Sequence, residues 1–285
     1  MKLALLGDIH SNHAALRACL KKALALGAER FLFLGDYVSD CADPQKTMGL
    51  LYALARRREC LFIKGNREEY LLDHLDGKSR GWRSPSSSSG GLLYTYRHLS
   101  PRDFSFFRGL PIRARLELEG CPAVECCHGS PSNTRGELAF VGPSARNALE
   151  ALDASVLICA HTHKQGVYLH AGKKLVNPGS VGIPSGHGGK AQFAMLYGRQ
   201  DCWEEEFHQL DYPRNETIEA LHASGLYAEA CVWARLTEAA LLTGEDRTSE
   251  CLALARQLCA RSGAAALQGQ TPERWWREAA ARLNL

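Results

Sequence analysis

Seven side chains stand where short apolar runs end: Asp8, His10, Asp36, Asn66, His128, His161 and His163. The runs leading to them cover 3–6, 31–34, 61–63, 123–128 and 156–160, which is strand length. Asp8 and His10 are two residues apart, as are His161 and His163. Each pair points into one crevice if the chain there is extended. A lone Asp or His at a strand end is usually a turn or cap residue. Five strand ends with the same chemistry are a different matter. If they meet at one rim, imidazole, carboxylate and amide groups form a single donor set. That mixture suits Mn²⁺, Fe, Zn²⁺ or Ni²⁺ better than Ca²⁺, which takes oxygen ligands. Seven donors exceed one tetrahedral site and suit two ions sharing a carboxylate. Two ions about 3.5–4 Å apart serve in-line displacement at phosphorus.

Positioning such a rim requires a parallel sheet, and the first third of the chain is patterned for one. Apolar runs alternate with helical spacing: Leu16, Cys19 or Leu20, and Ala23 or Leu24 after the capping pair Ser11-Asn12, then Met48, Leu51, Leu54 and Ala55, then Tyr70, Leu71 and Leu75. In open α/β sheets ligands bind outside the carboxyl ends of the strands. Residues 92–110 read as helical, and 112–210 as β-rich with a helix at 144–152. This predicts an α/β protein with two sheets and helices outside them. From about Pro213 the pattern is helical to the end, a three- or four-helix appendage with stops at Gly244 and Gly263 and a start at Thr271-Pro272. The expected division is therefore 1–212 and 213–285. Trp275 and Trp276 read as packing residues. Residues 77–91, GKSRGWRSPSSSSGG, read as a solvated mobile loop. The alternative is a lid carrying Trp82 and Arg83 to a substrate.

Composition excludes several classes. The chain has 285 residues, 45% hydrophobic and 23% charged, with net charge +3. It is globular, not disordered, and lacks the strong basic face of a stable nucleic-acid binder. No apolar run reaches a membrane span. The 11 cysteines include no C-x-x-C pair and read as reduced packing residues. The apolar start, residues 1–6, is interrupted by Asp8 and His10 too early for a signal peptide. A cytoplasmic location is expected.

The ordered motifs resemble those of the calcineurin-like metallophosphoesterases, in particular the bacterial phosphodiesterase-like branch. They are Asp8-Ile9-His10-Ser11-Asn12, Gly35-Asp36-Tyr37-Val38, Gly65-Asn66, Cys127-His128-Gly129, His161-Thr162-His163 and Asn177-Pro178-Gly179-Ser180-Val181. The resemblance runs from residue 1 to about 210. It implies a four-layer α/β/β/α sandwich with the helical appendage at its C-terminus. It implies two divalent transition metals, Mn²⁺ first among Mn, Fe, Zn and Ni. Asp8, His10 and His163 would bind one ion, Asn66, His128 and His161 the other, and Asp36 both. A hydroxide shared by the ions would be the nucleophile. Asn66, Arg67 and His128 are then the catalytic candidates, acting on a small phosphodiester, nucleotide or activated phosphomonoester. Other readings are a dinucleoside polyphosphate hydrolase, a protein serine/threonine phosphatase, or a non-catalytic metal-binding scaffold. Partners are limited to the small phosphorylated substrate and, through the C-terminal helices, a second copy of the chain.

One position departs from the family pattern. Family members usually have His after the Gly-Asn of the third motif, and this chain has Arg67. That His contacts the phosphoryl group and is often assigned as proton donor to the leaving oxygen. Guanidinium does not release a proton at working pH, so Arg67 can only do the first. Its planar fork can hold two phosphoryl oxygens. The competing expectation is that Arg67 turns to pair with Glu68, Glu69 or another acid. The second motif runs on as Ser39-Asp40-Cys41, without the Asp-Arg-Gly of protein phosphatases. Lys64, Arg83 and Arg135 are secondary phosphate candidates, each more often a solvated charge. His13 reads as a surface or packing residue, and Asn177 and Ser180 as turn formers.

Overall fold

The computed structural model of the chain describes residues 1–79, 81–262 and 270–285, and the helix stop expected at Gly263 lies outside these residues. Among the described residues there are two five-stranded sheets. The first is built from β1 (Lys2–Leu6), β2 (Arg30–Phe33), β3 (Glu59–Phe62), β9 (Ala191–Gly198) and β10 (Trp203–Leu210), in the order β10-β9-β1-β2-β3. The second contains β4 (Arg113–Leu116), β5 (Val124–Cys127), β6 (Val156–Ile158), β7 (Gly166–His170) and β8 (Lys173–Asn177), in the order β4-β5-β6-β8-β7. β1, β2 and β3 run parallel, as do β5, β6 and β8.

Strand alternation assigns the core. Leu3 and Leu5 of β1 face the second sheet, meeting Val124, Cys126, Val156, Ile158 and Val176. Ala4 and Leu6 face the other way, with Leu16 and Cys19 of α1 (His13–Ala25) and Met48 and Leu51 of α2 (Pro44–Ala55). α3 (Asn66–Leu75) and α5 (Pro101–Gly109) lie in the same outer layer, through Leu71 and Phe107. On the far side of the second sheet, Leu157, Cys159 and Leu175 pack against Ala145 and Leu149 of α6 (Pro143–Glu150). The layers are thus helix, sheet, sheet, helix. Burying a period-two apolar strand on both faces is what requires helices outside both sheets.

The expected single helix at 92–110 is two helices, α4 (Gly90–Arg97) and α5. Pro101 starts the second one, with Ser100 capping it through Asp103 N. The C-terminal region has five helices among the described residues, more than expected: α7 (Arg214–Ala223), α8 (Leu226–Ala230), α9 (Val232–Thr243), α10 (Thr248–Arg261) and α11 (Glu273–Arg282). The extra break comes from left-handed residues, Gly225 at φ 82 before α8 and Cys231 at φ 47 after it. Trp276 is fully buried among α9, α10 and α11, as expected of a packing residue.

The serine run overturns its expectation as a solvated loop. Ser86, Ser87 and Ser89 are buried. Ser87 Oγ accepts from Val232 N at 2.8 Å and donates to Ala230 O, so it caps α9 from a distant segment. Ser88 Oγ accepts from Trp276 Nε1 and donates to Thr271 O. Small side chains let two backbones approach, and their hydroxyls satisfy the helix ends. Trp82 is no lid residue, since its ring stacks on His74 at 4.2 Å.

Candidate metal centre

The loops after the parallel strands converge at one end of the two sheets. They lock together through backbone bonds: Asp8 N to Gly35 O, His10 N to Asp36 O, and Ala160 N to His128 O. The side chains do not converge by strand alternation. Asp8, His10, Asp36, His161 and His163 all have left-handed backbones, with φ between 50 and 68. The expectation of extended Asp-x-His and His-x-His segments is therefore wrong. Tight turns aim these groups inward, at a cost of about 1 kcal/mol or more per non-glycine residue. Such strain persists where the surroundings over-determine it. Ser180 does part of this, donating to Asp8 O and accepting from Ile183 N. Asn177 holds the next loop by donating to Ala160 O and Thr162 Oγ1. Both residues shape turns, as expected.

All seven candidate donors come to this rim. Two clusters of ligand atoms form within it, Asp8 with His10 and His163, and Asp8 with Asp36 and His128. The hydrogen bonds settle which nitrogen faces inward. His128 Nδ1 donates to Leu34 O at 2.7 Å, so its Nε2 carries a lone pair. That Nε2 faces Asn66 Oδ1 at 2.9 Å and Asp36 Oδ1 at 3.5 Å. His163 Nδ1 donates to Ile183 O, and His10 Nδ1 to Asp40 Oδ2 at 2.8 Å. The two remaining Nε2 atoms face each other at 3.1 Å. Asp8 Oδ1 is 3.6 Å from His163 Nε2 and has no hydrogen-bond partner although fully buried. Two ring nitrogens this close need a proton or a cation between them, and the carboxylate oxygen beside them has no partner. Burial lowers His128 to about 4 and His163 to about 3, so both are neutral donors near pH 7. Burial and the neighbouring Asp36 hold Asp8 well above the usual carboxylate range. The donor set fits a divalent ion.

His161 sits slightly apart. Its ring lies edge-on to His128 at 5.1 Å, and its backbone N–H donates to Asp8 Oδ2. It still lines the pocket above the cluster, which has a volume of about 640 Å³. His10, Asp36, Asn66, Arg67 and His163 also line it, with Asp8 and His128 buried beneath. His13 starts α1 away from this pocket. Lys64, Arg83 and Arg135 do not line it either, and Arg135 pairs with Glu69 at 3.0 Å.

Arg67 faces the pocket, and its fork is divided. Nη2 lies 3.2 Å from Asp40 Oδ2, while Nε is buried without a hydrogen bond, 3.8 Å from Asp36 Oδ2. The guanidinium thus pairs with two acids of the site, Asp40 closely and Asp36 at longer range. Glu68 plays no part in this pairing. Its buried carboxylate accepts from Asp36 N, Tyr37 N and Gly65 N, each at 2.9 Å. It thereby ties the Asp36 loop to the start of α3. Gly65 is required there, because a Cβ would come within 2.2 Å of Asp36 Oδ1. Glu68→Ala is expected to destabilise the fold by about 3 kcal/mol or more, since three buried N–H groups lose their acceptor. Equilibrium denaturation measures this, and a loss under about 1 kcal/mol contradicts the role.

Five residues of this site carry no signal of their own in the sequence. Asp40 is notable there only as a break in a phosphatase motif. In the fold it accepts from Ser39 Oγ, His10 Nδ1, Arg67 Nη2 and Trp233 Nε1. Burial opposes its charge, but Arg67 and His10 outweigh burial and hold it below the usual carboxylate range. Trp233, Thr237, Asp246 and Ser249 line the pocket from α9, α10 and the segment between them. The C-terminal helices therefore form one wall of the site.

Comparison with known proteins agrees with this architecture. Residues 1–201 match the model of the calcineurin-like phosphoesterase superfamily domain. An uncharacterized protein of Methanocaldococcus jannaschii is 27% identical over 211 residues, covering 68% of this chain and 82% of that protein. The crystal structure of a hypothetical protein from Pyrococcus horikoshii OT3 superposes with a TM-score of 0.74 at 20% identity, covering 86% of this chain and 99% of its own. A metallophosphoesterase from Sphaerobacter thermophilus gives 0.67 at 21% identity, covering 86% of this chain and 100% of its own. Residues 1–212 alone do not reach that share of this chain, so the likeness of fold extends into the C-terminal helices.

Proposed function

The chain belongs to the calcineurin-like phosphoesterase superfamily, and we propose that it is a two-metal phosphoesterase hydrolysing a small phosphodiester, a nucleotide or an activated phosphomonoester. Asp8, His10 and His163 would hold one ion, and Asn66, His128 and His161 the other. Asp36 would be shared, because its two oxygens face different nitrogens: Oδ1 is 3.5 Å from His128 Nε2 and Oδ2 is 3.9 Å from His10 Nε2. Manganese is the ion proposed first, and cytoplasm the compartment. No helix among the described residues is long and apolar enough to cross a membrane.

Two divalent ions bound there would supply Lewis acidity and a water-derived nucleophile at neutral pH. The protein groups do the rest. Leu34 O, Ile183 O and Asp40 orient the three imidazoles so that each presents one lone pair. Arg67 lines the pocket and would offer its guanidinium to the phosphoryl oxygens. A charged donor fixed before the reaction stabilises negative charge as it develops. Glu137 and Asp246 on the pocket wall disfavour a long polyphosphate and support a substrate with a single reacting phosphate.

The observation that carries this reading is the pair of buried ligand-atom clusters beneath the pocket, with Asp8 Oδ1 in them left without a hydrogen-bond partner. The test uses protein purified without chelator and supplied with Mn²⁺. Bound metal near two ions per chain, with hydrolysis of bis(p-nitrophenyl) phosphate or p-nitrophenyl phosphate, is the expected result. Metal binding without turnover of either ester makes the chain a metal-binding scaffold instead. Absence of both overturns the two-metal assignment.

A further inference from the structure

We propose that Trp233, on the C-terminal helix α9, is a positioning residue of the active site that acts on Arg67 through Asp40. This rests on the phosphoesterase reading above. Trp233 lies outside the segment 1–201 that matches the superfamily domain. Its Nε1 donates to Asp40 Oδ1 at 2.7 Å. The other oxygen of Asp40 lies 3.2 Å from Arg67 Nη2 and 2.8 Å from His10 Nδ1. One carboxylate thus joins the appendage, the arginine and a candidate metal ligand. The indole face contributes as well, with the Arg67 guanidinium carbon 5.6 Å from the ring centroid. A cation over an aromatic face and a hydrogen bond to that cation's partner restrict the same side chain from two sides.

The indole is itself held firmly. Its ring packs edge-on to the buried Trp276 at 5.9 Å. The first turn of α9 is capped by Ser87 Oγ, which accepts from Val232 N at 2.8 Å and Trp233 N at 3.3 Å. The buried serine run therefore fixes the helix end that carries Trp233. In this arrangement Arg67 is not a free surface arginine. Asp40 takes one arm, Trp233 anchors Asp40, and Nε lies 3.8 Å from Asp36 Oδ2 at the pocket lining. The helical region then has a catalytic purpose, completing a site whose metal donors all lie before residue 164.

The test separates the N–H from the ring. Trp233→Phe keeps an aromatic face against Trp276 and over Arg67 but removes the donor to Asp40. With bis(p-nitrophenyl) phosphate and the metal-loaded protein, kcat/KM is expected to fall about 10- to 100-fold, the range for a lost hydrogen bond to a charged group. Metal content and Tm should stay within error of the parent. In an Arg67→Ala background the same substitution should cost less than about 2-fold, because its effect runs through that side chain. A second readout needs no turnover. In protein loaded with diamagnetic Zn²⁺, the Arg67 Nε–Hε NMR signal, assigned by its loss in Arg67→Ala, should be sharp in the parent and broadened by exchange in Trp233→Phe. An unchanged Arg67 signal overturns the proposal, whether or not the protein turns over an ester. Wild-type kinetics in Trp233→Phe, or a penalty that simply adds to that of Arg67→Ala, also overturns it. A parent that hydrolyses nothing but shows the NMR change refutes the phosphoesterase reading and leaves the positioning role standing.

Discussion

Asp36→Asn is expected to give a folded protein that holds fewer than two divalent ions and hydrolyses bis(p-nitrophenyl) phosphate at least about 1,000-fold more slowly, about 4 kcal/mol of barrier. The effect should exceed that of a donor confined to one side of the site because of where Asp36 sits. Its Oδ1 faces His128 Nε2 and its Oδ2 faces His10 Nε2, so one residue serves both halves of the cluster. The amide keeps the shape of the side chain but loses the charge and one acceptor oxygen. Asp36 Oδ1 also accepts from Arg67 N at 2.8 Å, and the remaining amide oxygen can keep that bond. Loss of fold is therefore not the expected cause. His163→Ala serves as the contrast, since His163 belongs to one cluster and should release about one ion. Metal analysis of the purified variants, beside the rates, decides the matter. Two ions retained in Asp36→Asn, with activity within about 3-fold, contradicts the shared role.

Arg67 carries the second large effect. The hydrolysis rate is expected to fall steeply as the leaving-group pKa rises, by about 100-fold or more between p-nitrophenyl and simple alkyl esters, the scale that general acid catalysis contributes. The reason is chemical. The residue that follows the Gly-Asn of the third motif carries a guanidinium, which binds oxygen but does not hand over a proton. Arg67→His should flatten this dependence and favour alkyl esters relative to the parent. Arg67→Ala should lower kcat/KM for every ester by about 100-fold, because a desolvated charged donor is lost throughout the series. A series of phosphate esters of graded leaving-group pKa measures both. A parent rate that barely changes along the series means another group supplies the proton. The division of the fork adds a further point. With Asp40 3.2 Å from Nη2 and Asp36 3.8 Å from Nε, Arg67 does not offer the phosphoryl group the free planar fork that the sequence suggests.

Much of the candidate site is legible in the amino-acid sequence. Asp8, Asp36, Asn66, His128 and His161 each follow an apolar run, and a buried strand must end before polar chemistry begins. Turn chemistry is harder to read. The pairs Asp8/His10 and His161/His163 suggest alternation along an extended chain, yet each residue adopts positive φ. Residue spacing does not distinguish a strand from a turn of equal span. The serine run misleads for a related reason. Ser-rich composition usually marks solvated chain, but here small hydroxyl side chains are what a buried contact between α9, α11 and the core needs.

The sequence by itself determined the two-sheet α/β architecture, the seven candidate donors and the substitution at Arg67. These are local properties: short continuous apolar runs, strand-end polar residues and a recognisable order of motifs. Only the tertiary structure decided which lone pairs face one another, that Asp40 gathers four donors, and that the C-terminal helices wall the pocket. Trp233 and Asp40 are 193 positions apart and meet at 2.7 Å. No periodicity or composition links residues at that separation. Their meeting depends on how α9 docks against the sandwich, through Ser87 at its N-terminus and Trp276 behind it. In sequence the helical region is an annex of no visible purpose because its contribution is geometric: an indole N–H delivered to a carboxylate that the rest of the chain has already placed.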